Sequence, residues 1–475
     1  LPENRNMAEY LLTINGELVD SEQTIDVLNP ATEQVIGICT ADSREQLDRA
    51  VLAATNAYPA WRDLAMEQRK QYLLALGDAV EKDGEELARV LTLEQGKSRD
   101  DAIGEITATV EYLKTITRIE LTPEVINRSD HSRVELHRRP LGVVGAITPW
   151  NYPVLLAMWK IAQALVVGNT VVVKPSPYTP LTTLMLGALS KEIFPAGVIN
   201  VLSGSDELGA GMTSHPGIRK ITFTGSCPTG KKIMISAAAN LKRTTLELGG
   251  NDAAIVLSDV DPKKVASPIF WSAFVNNGQV CAALKRLYVH EDIYEELCNE
   301  LRVIGKKVVT GNGMQDGVQL GPIQNRMQFD KVSRLVDDAR LNGARILLGG
   351  QPMDGPGYFY PVTLIADVSE GDRIVDEEQF GPVLPIIRYR DVDEAIRRAN
   401  NTNFGLGGSV WTSDIDLGVE VAGRLECGTA WVNQHCQIWP TLPFGGVKES
   451  GVGVENSEHG LAEFTALQVV NATSG

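Results

Sequence analysis

Gly142-Val-Val-Gly-Ala-Ile147 opens a stretch that closes on Leu246-Glu-Leu-Gly-Gly250, and the rhythm between them decides the fold. Val143–Ile147, Thr170–Lys174, Val198–Leu202, Ile221–Thr224 and Thr244–Leu248 read as short strands, with helices expected near Val154–Leu165, Leu181–Ile193, Asp206–Met212 and Thr229–Ala239. Strand and helix in alternation are the signature of parallel βαβ units. An open parallel sheet gathers its ligands at the carboxyl ends of its strands.

Upstream, the alternation Tyr10-Leu-Leu-Thr-Ile-Asn-Gly-Glu-Leu18, within a segment from Met7 to about Asp26, predicts a hairpin turning at Asn15-Gly16. Apolar residues recurring every three or four positions predict helices over Ser43–Trp61, Met66–Gln95 and Asp100–Ile119. Downstream, from Asn251 to Gly446, a second α/β region is expected, with strands at Arg286–Val289, Ile386–Tyr389, Gly408–Trp411 and Thr429–Asn433. Two segments stand outside both regions. Val125–Arg139 alternates like a hairpin and Phe464–Asn471 forms a tail; such an arm, with little core of its own, suits pairing with another subunit.

At 475 residues the chain is too long for one core and implies two or three domains. Its 44 basic and 60 acidic residues leave a net charge of −16, which repels phosphate backbones and anionic membranes and argues against a nucleic-acid partner. No apolar run reaches the roughly 18 to 20 residues that span a bilayer, and the N-terminus lacks a basic segment leading into an apolar one. A cytoplasmic protein is expected. The six cysteines lie without CxxC spacing or clustered histidines, so neither a disulfide framework nor a metal site is implied.

The chemistry concentrates on Cys281, in Phe274-Val-Asn-Asn-Gly-Gln-Val-Cys281, and Glu247, at the end of a mostly apolar strand. A thiolate can add to a carbonyl carbon, and a buried carboxylate can activate the water that later releases the acyl group. A free thiol titrates at about 8.5, so Cys281 needs an electropositive setting, which the preceding Asn-Asn-Gly-Gln and the following Ala-Ala-Leu-Lys285 are expected to provide. Burial would lift Glu247 toward neutrality; a carboxylate paired with Lys or Arg at the sheet end is the alternative. Asn151, in Thr148-Pro-Trp-Asn-Tyr-Pro153, offers a fixed amide for an oxyanion or, alternatively, a cap for the helix that follows. Phe223-Thr-Gly-Ser-Cys-Pro-Thr-Gly230 joins a strand to a helix, where Gly225 and Gly230 allow close backbone approach and Ser226 meets the helix N–H groups. Cys298 and Cys39 read as buried structural residues.

Taken with Glu378-Gln-Phe-Gly-Pro382 and Pro443-Phe-Gly-Gly446, these strings resemble the aldehyde dehydrogenase superfamily over nearly the whole chain. The resemblance implies a Rossmann-like cofactor domain over 7–124 and 140–249, an α/β catalytic domain over 250–449, and a β arm over 125–139 and 464–475 that builds homo-oligomers, dimers or tetramers. It implies Cys281 as nucleophile, Asn151 as oxyanion donor and Glu247 as the hydrolytic base. NAD is the implied cofactor, with Lys174 at the adenosine ribose and Trp150 and Ser226 at the pyrophosphate. Thr224 would lie near the nicotinamide, Glu378 at its ribose and Phe380 beside the ring, with Ser176, Gly225 and Leu248 also in the cofactor site. The implied cycle runs through a thiohemiacetal, hydride transfer and a thioester.

Three departures from the family pattern stand out. Pro177 occupies the position where many NAD-preferring members carry a Glu that repels a 2′-phosphate, so NADP is expected to be tolerated alongside NAD. Asn251-Asp252 replaces the usual Lys-Ser. Val454 and Ala466 replace an interfacial Arg and Glu. Aligned with the family's entrance tunnel are Tyr152, Leu156, Trp159, Val280, Ala282, Ile438, Trp439 and Phe444, an apolar and aromatic lining that suits an uncharged aromatic or medium-chain aldehyde. His435 and Cys436 precede that loop, where they would meet a polar substrate end. A hydroxyaldehyde, an amino or betaine aldehyde held by aromatic rings, and a CoA-acylating semialdehyde reaction are the alternatives; a thiol hydrolase pairing Cys with His is a further one.

Overall fold

Five parallel strands form the heart of an eight-stranded sheet, in the order Arg243–Glu247, Ile218–Thr224, Val143–Ile147, Thr170–Lys174 and Ile199–Val201. The computed structural model that defines them describes residues 9–41, 44–128 and 132–473; Met7, Ser43, 129–131 and 474–475 fall outside the described residues. Val143–Ile147 and Thr170–Lys174 are buried at every position, as strands covered on both faces must be. The expected hairpin, Leu12–Ile14 with Glu17–Val19, extends this sheet antiparallel at one edge, and Gly451–Val452 closes the other. Its turn carries Asn15 at φ 55° and Gly16 at φ 77°, the paired left-handed residues that an Asn-Gly hairpin uses.

A seven-stranded sheet follows the order Arg345–Leu348, Thr363–Ala366, Val383–Tyr389, Leu284–His290, Asp252–Val256, Gly407–Trp411 and Thr429–Val432, parallel except at its first pair. Its central strand Asp252–Val256 escapes the sequence reading because Asp-Ala-Ala carries little β preference. Thr363–Ala366 and Arg345–Leu348 are likewise unexpected. Val383–Tyr389 runs through Pro385, a residue whose missing N–H argues against an interior strand and shortened the expected one.

The expected helix Met66–Gln95 is two helices, Met66–Lys82 and Gly84–Gln95, parted at Asp83. The other expected helices form with ends moved by a few residues, as Arg44–Asp63 and Arg99–Ile116. Val125–Arg139 and the tail, separate in the sequence, join in one antiparallel sheet in which Ser132–Pro140 lies between Glu124–Arg128 and Thr465–Thr473. The core beneath the first sheet continues into Ala282, Leu406, Trp431 and Phe444 of the second region, so the two regions share apolar packing. Among the described residues no helix is long and apolar enough to cross a membrane.

Candidate active site

The helix Pro262–Phe274 ends in a loop whose backbone is left-handed at three residues running, Asn276, Asn277 and Gly278, with φ of 50°, 59° and 70°. Such conformations cost about 1–3 kcal/mol for a residue with a side chain and persist only where neighbours enforce them. Here Asn276 Nδ2 donates to the Asn151 carbonyl at 3.0 Å, Gln279 Nε2 to the Asn276 carbonyl at 3.1 Å, and the Gln324 N–H to Gln279 Oε1 at 2.9 Å. A Cβ at Gly278 would lie 2.2 Å from the Gly381 carbonyl oxygen, so only glycine fits. This turn delivers Cys281 to a cavity of about 600 Å³.

Asn151, Glu247 and Cys281 all line that cavity, together with Tyr152, Leu156, Trp159, Val280, Ile438 and Phe444. Two expected members do not. Ala282 is wholly buried behind Cys281, because its side chain turns into the core, and Trp439 is 58% exposed outside the cavity. Unexpected wall residues are Leu155, Trp271, Val275 and Trp411, contributed by helices and a strand with no motif to mark them.

Glu247 ends its strand 3% exposed, and no ion pair holds it among the described residues. Burial first, and then the nearby Glu455 carboxylate, push its carboxyl up to about 8, while the Cys281 thiol hydrogen-bonds to it. The Lys or Arg alternative fails: Lys160 is spent on Glu455 in a fully buried pair. The thiol of Cys281 is itself raised, by burial and then by Glu247, with Lys285 acting in the opposite sense. Of the electropositive setting expected on either side of Cys281, the preceding Asn-Asn-Gly-Gln brings no charge, whereas Lys285, which ends the following Ala-Ala-Leu-Lys, is the close cation among the described residues; it donates to the Cys281 carbonyl at 2.7 Å, to the Gly250 carbonyl at 3.1 Å and to Glu378 Oε1 at 2.8 Å. Cys39 and Cys298 are buried in a strand and a helix, their thiols also pushed up by burial.

Asn151 does not cap the helix Pro153–Val166. Glu105 does that work, its Oε1 accepting the Val154 and Leu155 N–H groups at 2.9 and 3.1 Å. Its other oxygen pairs at 2.6 Å with the fully buried Lys97, which also donates to the Asn151 carbonyl at 3.0 Å. Asn151 is thus fixed from both sides, and its Nδ2 donates to the Gln279 carbonyl at 2.9 Å. That bond orients the amide and uses one of its two N–H groups; the other is left for an oxygen in the cavity.

At the carboxyl ends of the parallel strands, Lys174 is buried with its ammonium donating to the Pro175 carbonyl at 3.2 Å, and burial lowers its pKa to about 8. Ser176 Oγ accepts the Tyr178 N–H at 3.3 Å. The Thr224 hydroxyl is buried without a partner among the described residues. The Gly225 N–H bonds the Glu247 carbonyl at 3.1 Å, and Ser226 caps the helix Cys227–Ala238 through Thr229. Leu248 packs so close to Gly230 that a Cβ there would approach it to 2.6 Å. Glu378 meets these ends from the second sheet, taking Lys285 and the Gly250 N–H on Oε1 and leaving Oε2 for another donor. Phe380, left-handed at φ 49°, stands edge-on to Trp150 at 5.3 Å.

The model of the aldehyde dehydrogenase family matches residues 18–470. A probable aldehyde dehydrogenase of a Pseudomonas species is 42% identical over 97% of this chain and 94% of its own length. A phenylacetaldehyde dehydrogenase of Pseudomonas fluorescens is 39% identical over 97% and 95%. The crystal structure of betaine aldehyde dehydrogenase from Staphylococcus aureus, in complex with NAD+, superposes with a TM-score of 0.94 at 33% identity, covering 98% of this chain and 94% of that one. Matches of this extent leave one assignment, and this chain belongs to the aldehyde dehydrogenase family.

Proposed function

We propose that this aldehyde dehydrogenase oxidises an uncharged aromatic or medium-chain aldehyde to its carboxylic acid, with Cys281 as nucleophile, Asn151 as oxyanion donor and Glu247 as base. The observation that carries the reading is a single cavity joining these three side chains to walls that are mostly apolar and aromatic. Once the Cys281 proton has passed to water in the cavity, the sulfur adds to the carbonyl carbon of the aldehyde, and Glu247 stays free for the later hydrolysis. The oxygen that gains charge meets the free N–H of Asn151. Asn151→Ala is expected to lower kcat by about 10²–10³, the usual effect of one lost oxyanion donor, with little change in cofactor KM. Stopped-flow measurement of the first turnover checks it.

The cofactor reading is NAD. A partnerless Thr224 hydroxyl, the spare Glu378 Oε2 and a buried Lys174 at the strand ends suit a dinucleotide with two ribose diols. Trp150, Ser176, Gly225, Ser226, Leu248 and Phe380 complete its bed. Bound there, the nicotinamide supplies the hydride acceptor. With the hydride gone from the adduct, Glu247 draws a proton from water, and the hydroxide released takes the acyl group off Cys281. Water release of this kind, with Glu247 present, argues against the CoA-acylating alternative.

An uncharged substrate is favoured over a betaine aldehyde because the aromatic faces are already engaged. Lys97 Nζ sits 3.8 Å from the Tyr152 ring centre, Tyr112 stacks on Trp159 at 5.6 Å, and Phe444 meets Trp159 edge-on. Those contacts leave less open ring face on Tyr152 and Trp159 to cage a cation. One panel of aldehydes, run with NAD and NADP, tests both readings. Phenylacetaldehyde or a medium-chain aldehyde is expected to exceed betaine aldehyde by at least about tenfold in kcat/KM, and NAD to exceed NADP by less than about a thousandfold, roughly 4 kcal/mol. The reverse order of aldehydes, or a larger cofactor ratio, would contradict them.

Residues 7–124 with 140–249 serve on this reading as the cofactor domain, 250–449 as the catalytic domain, and the antiparallel sheet as the arm of a homo-oligomer. Val125, Ile126, Leu467 and Val469, all exposed on that sheet, support the last role.

A further inference from the structure

Asp252, the unexplained departure after the double glycine, approaches His435, which with Cys436 lines the cavity beside the nucleophile. His435 is fully buried, with Nε2 3.1 Å from the Ala282 carbonyl oxygen and 3.7 Å from Asp252 Oδ2, and Nδ1 2.9 Å from Ser409 Oγ. A carbonyl can only accept, so Nε2 carries the hydrogen. Burial holds the ring neutral, its pKa lowered to about 3, so Nδ1 accepts and Ser409 O–H donates to it. Ser409 Oγ in turn accepts the indole N–H of Trp411 at 3.1 Å. The directions agree along the whole chain, from Trp411 through Ser409 and His435 to Ala282. Asp252 Oδ2 stands 3.7 Å from Nε2, beyond hydrogen-bond reach, with its carboxyl raised by burial to about 7.

The consequence falls on two successive peptide planes. Lys285 Nζ holds the Cys281 carbonyl at 2.7 Å and His435 Nε2–H holds the next one, at Ala282. Between them the backbone that carries Cys281 is fixed, and with it the direction of its Cα–Cβ bond toward the cavity. We propose that His435 is a positioning residue of this enzyme, which fixes the Cys281 turn through the Ala282 carbonyl, with Ser409 setting its tautomer. The inference rests on Cys281 being the nucleophile.

The test compares His435→Phe, His435→Gln and Ser409→Ala in the full-length protein, reading kcat, cofactor KM, melting temperature and the rate at which iodoacetamide alkylates Cys281, mapped by peptide mass. His435→Phe is expected to slow alkylation and kcat together by about tenfold, the scale of one lost buried hydrogen bond. Cofactor KM and melting temperature should stay near the parent's. His435→Gln, whose amide N–H can reach the Ala282 carbonyl, should recover most of both rates, and Ser409→Ala should fall between. Parent-like alkylation and turnover in His435→Phe would overturn the proposal, as would equal losses in the Phe and Gln variants alongside a collapsed melting temperature. If His435→Phe fails to fold, parent rates in Ser409→Ala overturn it. A parent enzyme that keeps full activity after Cys281 is alkylated would instead overturn the nucleophile assignment.

Discussion

Cys281→Ser is expected to lower aldehyde oxidation by at least about a thousandfold, since removing a nucleophile from an acyl-transfer site removes the covalent route itself. The substitution is nearly isosteric, so the turn enforced by Asn276, Asn277 and Gly278 should persist and cofactor binding should be unchanged. The size of the loss follows from the electrostatics of the site. Burial and Glu247 already hold the thiol above its ordinary value, and among the described residues Lys285 is the cation that acts against them. A hydroxyl, several units less acid than a thiol, gains no further help from that environment. Steady-state formation of reduced cofactor, with cofactor affinity by fluorescence as a control, measures both halves of the expectation. Parent-like turnover in the Ser variant would remove the sulfur from the mechanism.

Glu247→Gln should separate the two halves of the cycle. The first burst of reduced cofactor is expected to survive, while steady-state turnover falls by about a hundredfold, the lower range for a general base. The acid form of Glu247 predominates at pH 7, because its carboxyl titrates near 8. Parent deacylation should therefore rise with pH and level off above about 8, and the Gln variant should lose that limb. Stability moves in the other direction. A carboxyl whose folded pKa exceeds its unfolded value of about 4.3 keeps its proton longer when folded, so its contribution to stability falls as pH climbs between the two values. Gln has no proton to lose, and Glu247→Gln should melt higher than the parent at pH 8 to 9. Thermal melts across that range, paired with burst kinetics, check the sign.

The parallel strands of the first sheet were legible because each is a short apolar run between turn signals, and Glu247 could be placed at a strand end from the same pattern. The hairpin at Asn15-Gly16 was legible for a narrower reason: two left-handed residues need those side chains. Asp252–Val256 was not, since an Ala-rich central strand takes its stability from neighbours on both sides rather than from its own residues. The cavity was partly legible. Residues adjacent to motifs, such as Tyr152 and Val280, could be found, whereas Trp271 and Trp411 arrive from elements distant in the chain. Ala282 shows the converse limit, a neighbour of the nucleophile whose peptide matters and whose side chain does not reach the cavity. Lys285, four residues past Cys281, was legible as the end of Ala-Ala-Leu-Lys, although its bond to the Cys281 carbonyl was not. It enters the buried strand Leu284–His290 beside Arg286, where a buried ammonium must find acceptors.

The account depends on an acyl group resting on one sulfur. Glu247→Gln enzyme mixed with NAD and an aromatic aldehyde, quenched in acid after the burst and digested for peptide mass analysis, measures this directly. The peptide containing Cys281 is expected to gain the mass of the acyl group in an amount matching the burst. A full burst of reduced cofactor with Cys281 unmodified would contradict the account.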